Sequence, residues 1–482
     1  MFDMRPVGYV IGLLIAALGM AMLFPMALDW AAGDPHWQSF LQSAVITGLS
    51  GAVLALACAN GRGNSLTLQQ SFILTTATWV VVPAFGALPF MLGAPGVGVT
   101  DAMFEAMSGM TTTGATVFTG LDDLPLGTNL WRGILHWLGG LGIVIVAMIF
   151  LPVMKVGGMQ YFRSEGFDTL GKVLPRALDI SSALIQIYIA LTLVCLIVYY
   201  AMGMTGFEAV VHAMSTIATG GFSTSDQSFA KFSGPLEYAA AVFMFLSTLP
   251  FIRYVQLLNG SIRPLLVDSQ VRAYLRWTIY AIVLIFSYRV LILDDEASLA
   301  LRETVFNLVS IFTGTGFTSA DLLAWGGFAF VVLLSVGFIG GCTSSTGCSV
   351  KVFRYLILFE TIKIQIRRLL SPNAVLPIRM DGRPVNTDVV TSVIVFFTLF
   401  VLTFGVLAVG LSLTGLQTRT ALTAAWTSIA NIGPVWGGEV GPTGALDMFP
   451  TSAKWMMIWG MLLGRLELLS VYVLLTTRFW VR

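Results

Sequence analysis

The stretch Ser108-Gly109-Met110-Thr111-Thr112-Thr113-Gly114-Ala115-Thr116 interrupts a chain that is otherwise overwhelmingly apolar. It carries no charge, and three consecutive threonines beside glycine make poor helix. Around it, 56% of the 482 residues are apolar and 11% are charged. A soluble domain carries about a quarter charged residues. Windows of about 20 apolar residues recur, each long enough to cross a hydrocarbon core of about 30 Å. The composition points to an all-α polytopic membrane protein. The alternating strand pattern of an outer-membrane barrel is absent.

Spans are expected near 7–28, 40–59, 71–92, 130–153, 182–203, 236–258, 273–293, 326–348, 389–413 and 453–477. The first is longer than the roughly 7–15-residue core of a signal peptide and reads as a retained span. Between later pairs lie four shorter, semi-polar segments near 101–112, 206–219, 302–314 and 418–431. Too short to cross, they read as re-entrant elements. With the N-terminus inside, 19 of the 26 Lys and Arg residues fall on the inner face and six on the outer, leaving Arg465 within the last span. That asymmetry predicts cytoplasmic termini and places all four short segments outside. The outer loops also gather acids, among them Asp101, Glu105, Asp122, Asp226 and Asp321. Such a surface either concentrates cations or simply solvates the loops. The four cysteines read as small buried residues, and the three histidines lack metal-ligand spacing.

The short segments repeat. With Gly114, Gly221, Gly316 and Gly433 as anchors, a hydroxyl stands six residues earlier in each: Ser108, Ser215, Ser310 and Thr427. The residues leading into the anchors are Thr111, Thr112 and Thr113; Ala218, Thr219 and Gly220; Thr313, Gly314 and Thr315; and Ala430, Asn431 and Ile432. The anchors lie 107, 95 and 117 residues apart, two spans to each interval. Four pseudo-symmetric helix–pore-loop–helix repeats around one pore follow, preceded by an extra N-terminal pair of spans. Their expected bounds are 1–69 for the pair, then 70–178, 179–268, 269–385 and 386–482. Extended backbone at membrane depth survives only when buried in protein or lining a watery cavity. Four such segments on one axis could replace a dehydrated cation's water shell with carbonyl oxygens. The alternative is small-residue packing between helices.

At these residues the chain resembles the TrkH/TrkG–KtrB potassium-uptake subunits, related to fungal Trk and plant HKT transporters. TTTGA at 111–115, ATGGFS at 218–223, TGFT at 315–318 and NIGP at 431–434 are similar to that family's filter segments. HWLGGLGI at 136–143, GGCTSSTGCSVK at 340–351 and GRLELL at 464–469 extend the resemblance over nearly everything after residue 70. The additional N-terminal pair resembles TrkH/TrkG rather than KtrB. The resemblance implies a K⁺-translocating subunit of a bacterial inner membrane, working as a homodimer with one pore per protomer. It also implies a cytosolic TrkA-like nucleotide-binding ring as partner, which would hold the nucleotide. No phosphate-binding or dinucleotide motif stands in this chain, and nothing suggests a nucleic-acid partner.

Gly340, Gly341, Cys342, Thr343, Ser344, Ser345, Thr346 and Gly347 interrupt a span with residues that would unwind a membrane helix. The resemblance implies an intramembrane gating loop there, although this chain has Cys348 and Ser349 where family members are richer in glycine. Arg465 is the one basic residue deep in a span, which makes it a functional candidate. The family assigns its counterpart a barrier role below the filter; pairing with a carboxylate or carbonyls is the structural alternative. His136 and His212 read as interior or rim residues rather than proton relays. A Na⁺-permeable variant, or a transporter coupling K⁺ to H⁺ or Na⁺, remains open, with Glu467 as the nearest intramembrane acid. Paired carboxylates, nucleophile–base patterns and metal clusters, which an enzyme would need, are not evident.

Overall fold

A computed structural model of the chain describes residues 3–61, 66–154, 156–159, 177–374 and 376–481. Arg62, Lys155, Arg163, Lys172, Arg176 and Arg482, counted above toward the inner face, lie outside the described residues. Among the described residues, seven helices are long and apolar enough to cross a bilayer, or nine if each of two bent pairs is one span. The only described strands form the two-residue hairpin arms Arg379–Met380 and Arg383–Pro384. The chain is a multi-pass helical membrane protein.

The N-terminal pair is Arg5–Ala21 with its continuation Leu23–Ala31, packed against Trp37–Ala57. A buried carboxylate ties it to the rest of the molecule. Asp29 accepts a hydrogen bond from the Gly127 amide at 2.6 Å and pairs with His36 Nδ1 at 2.7 Å. His36 Nε2 in turn accepts from the Ala94 amide at 2.8 Å. Sequence reading left both residues unassigned.

Each semi-polar segment is a short helix: Val99–Met110, Gly206–Ile217, Ala297–Thr313 and Thr418–Ala430. The second begins on a capping box, in which the Thr205 side chain accepts from the Glu208 amide and the Glu208 carboxylate from the Thr205 amide. Each short helix ends where its glycine-rich run begins.

The spans that follow them do not match the simple expectation. Only Leu126–Met154 runs unbroken. Its Gly139 and Gly140 let it press close, because a Cβ at Gly139 would strike the Met110 carbonyl and one at Gly140 would lie 2.9 Å from the Ala218 Cα. The span expected at 236–258 is Pro235–Ser247 and Phe251–Leu258, bent by 93°. Pro250 supplies the break, since it lacks an N–H and its ring opposes helix at the residue before it. The span expected at 326–348 stops at Val336, and helix resumes only at Val352–Leu370. The one expected at 453–477 is Thr451–Arg465 followed by Leu469–Leu475, bent by 105°, with Glu467 and Leu468 both at positive φ. Three of the four second helices are therefore broken, not the third alone.

At the last break the Glu467 carboxylate pairs with the buried Arg354 guanidinium, which also donates to the Gly157 carbonyl at 2.9 Å and stacks 3.8 Å over Phe396. Glu467 is thus an ion-pair partner. Glu467→Gln is expected to lower stability by about 2 kcal/mol, the scale of a hydrogen bond to a charged group. Thermal unfolding in detergent measures this, and an unshifted midpoint would contradict it.

Candidate functional site: a ring of four segments

The four glycine-rich runs share one backbone course. Thr112, Thr219, Gly314 and Asn431, each two residues before an anchor, all adopt the left-handed region, with φ of 51°, 52°, 81° and 52°. Gly114, Gly221 and Gly316 follow at 85°, 85° and 84°. Gly433 departs from this pattern and is absent from the positive-φ glycines. Pro434 explains the departure, because a residue preceding proline is confined to extended backbone. Glycine's freedom is therefore used at three anchors rather than four. The third run differs in having glycine at the position where the others hold Thr, Thr and Asn.

The runs meet in cyclic order. A Cβ on Gly114 would collide with the Gly220 carbonyl oxygen, and one on Gly221 with the Thr315 carbonyl oxygen. A Cβ on Gly316 would lie 2.7 Å from the Gly433 amide, and one on Gly433 would lie 3.0 Å from the Gly114 carbonyl. First meets second, second third, third fourth, and fourth returns to first. The sixteen sequence-assigned residues, 111–114, 218–221, 313–316 and 430–433, make up the four runs, and it is their anchor ends that meet in this ring. A cavity of about 570 Å³ opens over the anchor side and reaches Asp226, Asp321 and Trp436.

The hydroxyl six before each anchor has a visible task. Ser108 Oγ donates to the Ala115 carbonyl at 2.5 Å, Ser310 Oγ to Phe317 at 2.7 Å and Thr427 Oγ1 to Pro434 at 2.5 Å. Each bond staples the end of a short helix to the chain returning past the anchor. Ser215 is the exception and shares its hydrogen bond with His136 Nδ1 at 2.9 Å.

A further set of supports escaped sequence reading. Glu105, His212 and Asn307 each stand nine residues before an anchor, and each holds the chain two or three residues past it. Glu105 accepts from the Val117 amide at 3.0 Å, His212 Nε2 meets Ser223 Oγ at 3.0 Å, and Asn307 Oδ1 accepts from the Ser319 amide at 3.0 Å. In the fourth segment Thr423, ten before its anchor, does the same for Trp436. Glu105 is buried and pairs with Arg132 at 2.8 Å, while Arg132 donates to the Ser223 carbonyl at 2.7 Å. A polar residue at one spacing was the available signal, hidden because the residue types differ.

The expected acidic surface is largely spent on such bracing. Asp101 pairs with Lys454, and Asp295 and Glu303 with Arg289. Asp226 accepts from the Gly120 and Leu121 amides, and Asp122 pairs with Lys231. Burial opposes the Asp122 charge, but hydrogen bonds from Ser225, Lys231 and the Asp226 amide outweigh it and hold its carboxyl below the usual carboxylate range.

Beneath the ring lies the interrupted stretch of the third repeat. Residues 340–348 are buried, and Gly340 donates to the Val350 carbonyl at 2.8 Å, folding the loop back on itself. The broken second span receives it: Cys342 donates to the Thr248 carbonyl at 2.9 Å, Phe251 to Ser344 at 3.0 Å, and Thr346 Oγ1 to Ser247 at 2.9 Å. Thr343 donates to Gln270 at 3.0 Å, and Lys351 Nζ to the Gly347 carbonyl. From the broken fourth span, Arg465 Nη1 reaches the Thr346 carbonyl at 3.5 Å and Cys348 Sγ at 3.1 Å. No carboxylate pairs with Arg465 among the described residues, and its Nε and Nη2 have no hydrogen-bond partner there.

Cys348, outside the candidate gate residues, is the side chain that meets the ring. Its Sγ lies 3.5 Å from Thr112 Oγ1, 3.7 Å from the Thr112 carbonyl and 4.0 Å from that of Thr219. A Cβ on Gly314 would stand 2.8 Å from the Cys348 Cβ. The thiol therefore touches the first two segments and the Cys348 Cβ closes on the third, on the side away from the anchors. It is more than a small buried filler.

The profile of the family described as "TrkH: Cation transport protein" matches residues 36–479. A protein named Trk system potassium uptake protein TrkI, from Halomonas elongata, is 39% identical over 98% of this chain and 96% of its own length. The Escherichia coli protein named Trk system potassium uptake protein TrkH is 33% identical over 99% of both chains. A crystal structure described as the potassium transporter TrkH from Vibrio parahaemolyticus superposes with a TM-score of 0.91 at 32% identity, covering 99% of this chain and all of that one. With a ring of four glycine-rich segments, an interrupted third repeat and these matches over nearly its whole length, the chain belongs to the TrkH family of cation transport proteins.

Proposed function

We propose that this chain is the potassium-translocating membrane subunit of a Trk-type uptake system. The observation that carries the reading is the cyclic closure of the ring, in which each segment's anchor glycine lies against the next segment's backbone. Residues 111–114, 218–221, 313–316 and 430–433 supply carbonyl oxygens to a dehydrated K⁺. Such a filter takes ions from the cavity above it and passes them down the membrane potential. Residues 340–347 and Arg465 form the gate on the far side: a loop that fills the exit and a fixed positive charge that raises the barrier to a cation. Cys348 joins them here as the atom in contact with the ring.

The remaining expectations complete the proposal. The chain divides at 1–69, 70–178, 179–268, 269–385 and 386–482, sits in the bacterial inner membrane with cytoplasmic termini, and works as a homodimer. A cytosolic nucleotide-binding ring docks on the basic inner face and moves the gate. Glu467, the nearest candidate acid for ion coupling, is engaged with Arg354, which favours channel-like flow.

The test is flux of K⁺, Rb⁺, Na⁺ and Li⁺ into vesicles carrying the purified protein. K⁺ and Rb⁺ are expected to exceed Na⁺ and Li⁺ by at least about tenfold, the factor that 1.4 kcal/mol of differential binding gives. Equal K⁺ and Na⁺ flux would replace this reading with the Na⁺-permeable one. K⁺ flux that required a proton or Na⁺ gradient would replace it with the coupled transporter.

A further inference from the structure

The second segment of the ring is held differently from the other three. Its hydroxyl, Ser215, forms no bond to the carbonyl past the anchor but shares one with His136 Nδ1 at 2.9 Å. His136 belongs to Leu126–Met154, the second helix of the preceding repeat, and is fully buried. Its ring stacks on Phe222, with centroids 4.1 Å apart and planes 16° from parallel. It also fills the space behind Gly220, where a Cβ would strike the imidazole. The guanidinium of Arg132, one turn earlier on the same helix, lies 4.1 Å from the Phe222 ring. Where three segments are stapled within themselves, the second is positioned from outside.

We propose that His136 is a positioning residue that determines ion discrimination by setting the second quarter of the filter; the inference rests on the filter reading above. The imidazole fixes Ser215 at the end of the short helix, Phe222 just past the anchor, and Gly220 between them. Three consecutive parts of one segment thus depend on one side chain of another repeat. The carbonyls of Thr219 and Gly220 then keep their aim only while that ring stays in place. Movement of His136 alters the spacing of one quarter of the ring and leaves the other three staples intact. The expected signature is changed selectivity with the ring still conducting.

The experiment measures K⁺ and Na⁺ flux in vesicles for His136→Leu, His136→Asn, Ser215→Ala and the double variant His136→Leu with Ser215→Ala. Ser310→Ala serves as a staple outside this pair. His136→Leu and Ser215→Ala should each lower the K⁺-over-Na⁺ ratio about fivefold, the scale of one lost buried hydrogen bond. The double variant should fall no further, as expected for residues acting through one contact, whereas Ser310→Ala combined with His136→Leu should multiply the two effects. His136→Asn keeps a polar atom at the Nδ1 position and should restore the ratio to within about twofold. A purely structural role would lower protein yield and the flux of every cation in parallel, with the ratio unmoved, and would overturn the proposal. So would multiplicative effects of His136→Leu and Ser215→Ala. Gly221→Ala, measured alongside, separates the two levels: if it too leaves the ratio unchanged, the filter reading itself fails.

Discussion

Gly221→Ala is expected to lower the K⁺-over-Na⁺ flux ratio about a hundredfold, and Gly114→Ala to do nearly the same. At φ of 85° a side chain pays about 1–2 kcal/mol of backbone strain before it touches anything. Here it would also collide with a carbonyl oxygen of the neighbouring segment, Thr315 for Gly221 and Gly220 for Gly114. Those oxygens belong to the lining proposed to hold the ion, so the clash falls on binding rather than on folding. Together, strain and displacement of about 3 kcal/mol correspond to that hundredfold. Gly433→Ala is the internal comparison. Its φ is unstrained and its Cβ would sit 3.0 Å from the Gly114 carbonyl, so the loss should be distinctly smaller. Paired flux measurements on protein of unchanged melting temperature decide the matter. A wild-type ratio in Gly221→Ala would count directly against the pore.

The second large effect is a gain. Arg465→Ala should raise K⁺ flux in the absence of any cytosolic partner by about thirtyfold. Two unit charges about 8 Å apart at an effective dielectric constant of about 20 repel by about 2 kcal/mol, which gives that factor in rate. No carboxylate among the described residues pairs with the guanidinium, so its field would act on the proposed ion path. Removing it also frees Cys348 and the Thr346 carbonyl from their contact. Cys348→Gly separates the two causes, because it clears the space under Thr112 while keeping the charge. A larger rise in Cys348→Gly than in Arg465→Ala would mean that the exit is closed by bulk. Equal or lower flux in folded Arg465→Ala protein would end the barrier idea.

Much of this architecture was legible because its demands leave a mark on composition. Backbones that meet at van der Waals distance exclude large side chains, so the four runs of small residues around Gly114, Gly221, Gly316 and Gly433 announce themselves at similar intervals. The stapling hydroxyls were legible for the same reason: one geometric task fell to Ser108, Ser310 and Thr427 alike. The broken second and fourth spans were not legible from hydropathy. A window averaged over Thr248–Pro250 or Leu466–Leu468 remains apolar on both sides of the bend, although Pro250 itself was a usable signal. Glu105, His212 and Asn307 were hidden because a carboxylate, an imidazole and an amide can fill one role. Cys348 needed three dimensions, since its three neighbours in the ring lie in three different repeats.

The 19-residue helix Val352–Leu370 starts directly where the loop beneath the ring ends, with Lys351 as the joint. At 1.5 Å per residue it is a rod of about 28 Å. Its far end carries Lys363, Arg367 and Arg368. Because the loop's backbone already bonds outside any helix, moving it exchanges a few hydrogen bonds and unwinds nothing. For the gate proposed above, rod and loop would act as a lever whose short arm rests under the ring and whose long arm ends in Lys363, Arg367 and Arg368. A tilt of about 4° swings the far end of a rod of that length by about 2 Å and moves Cys348, close to the pivot, by a fraction of that.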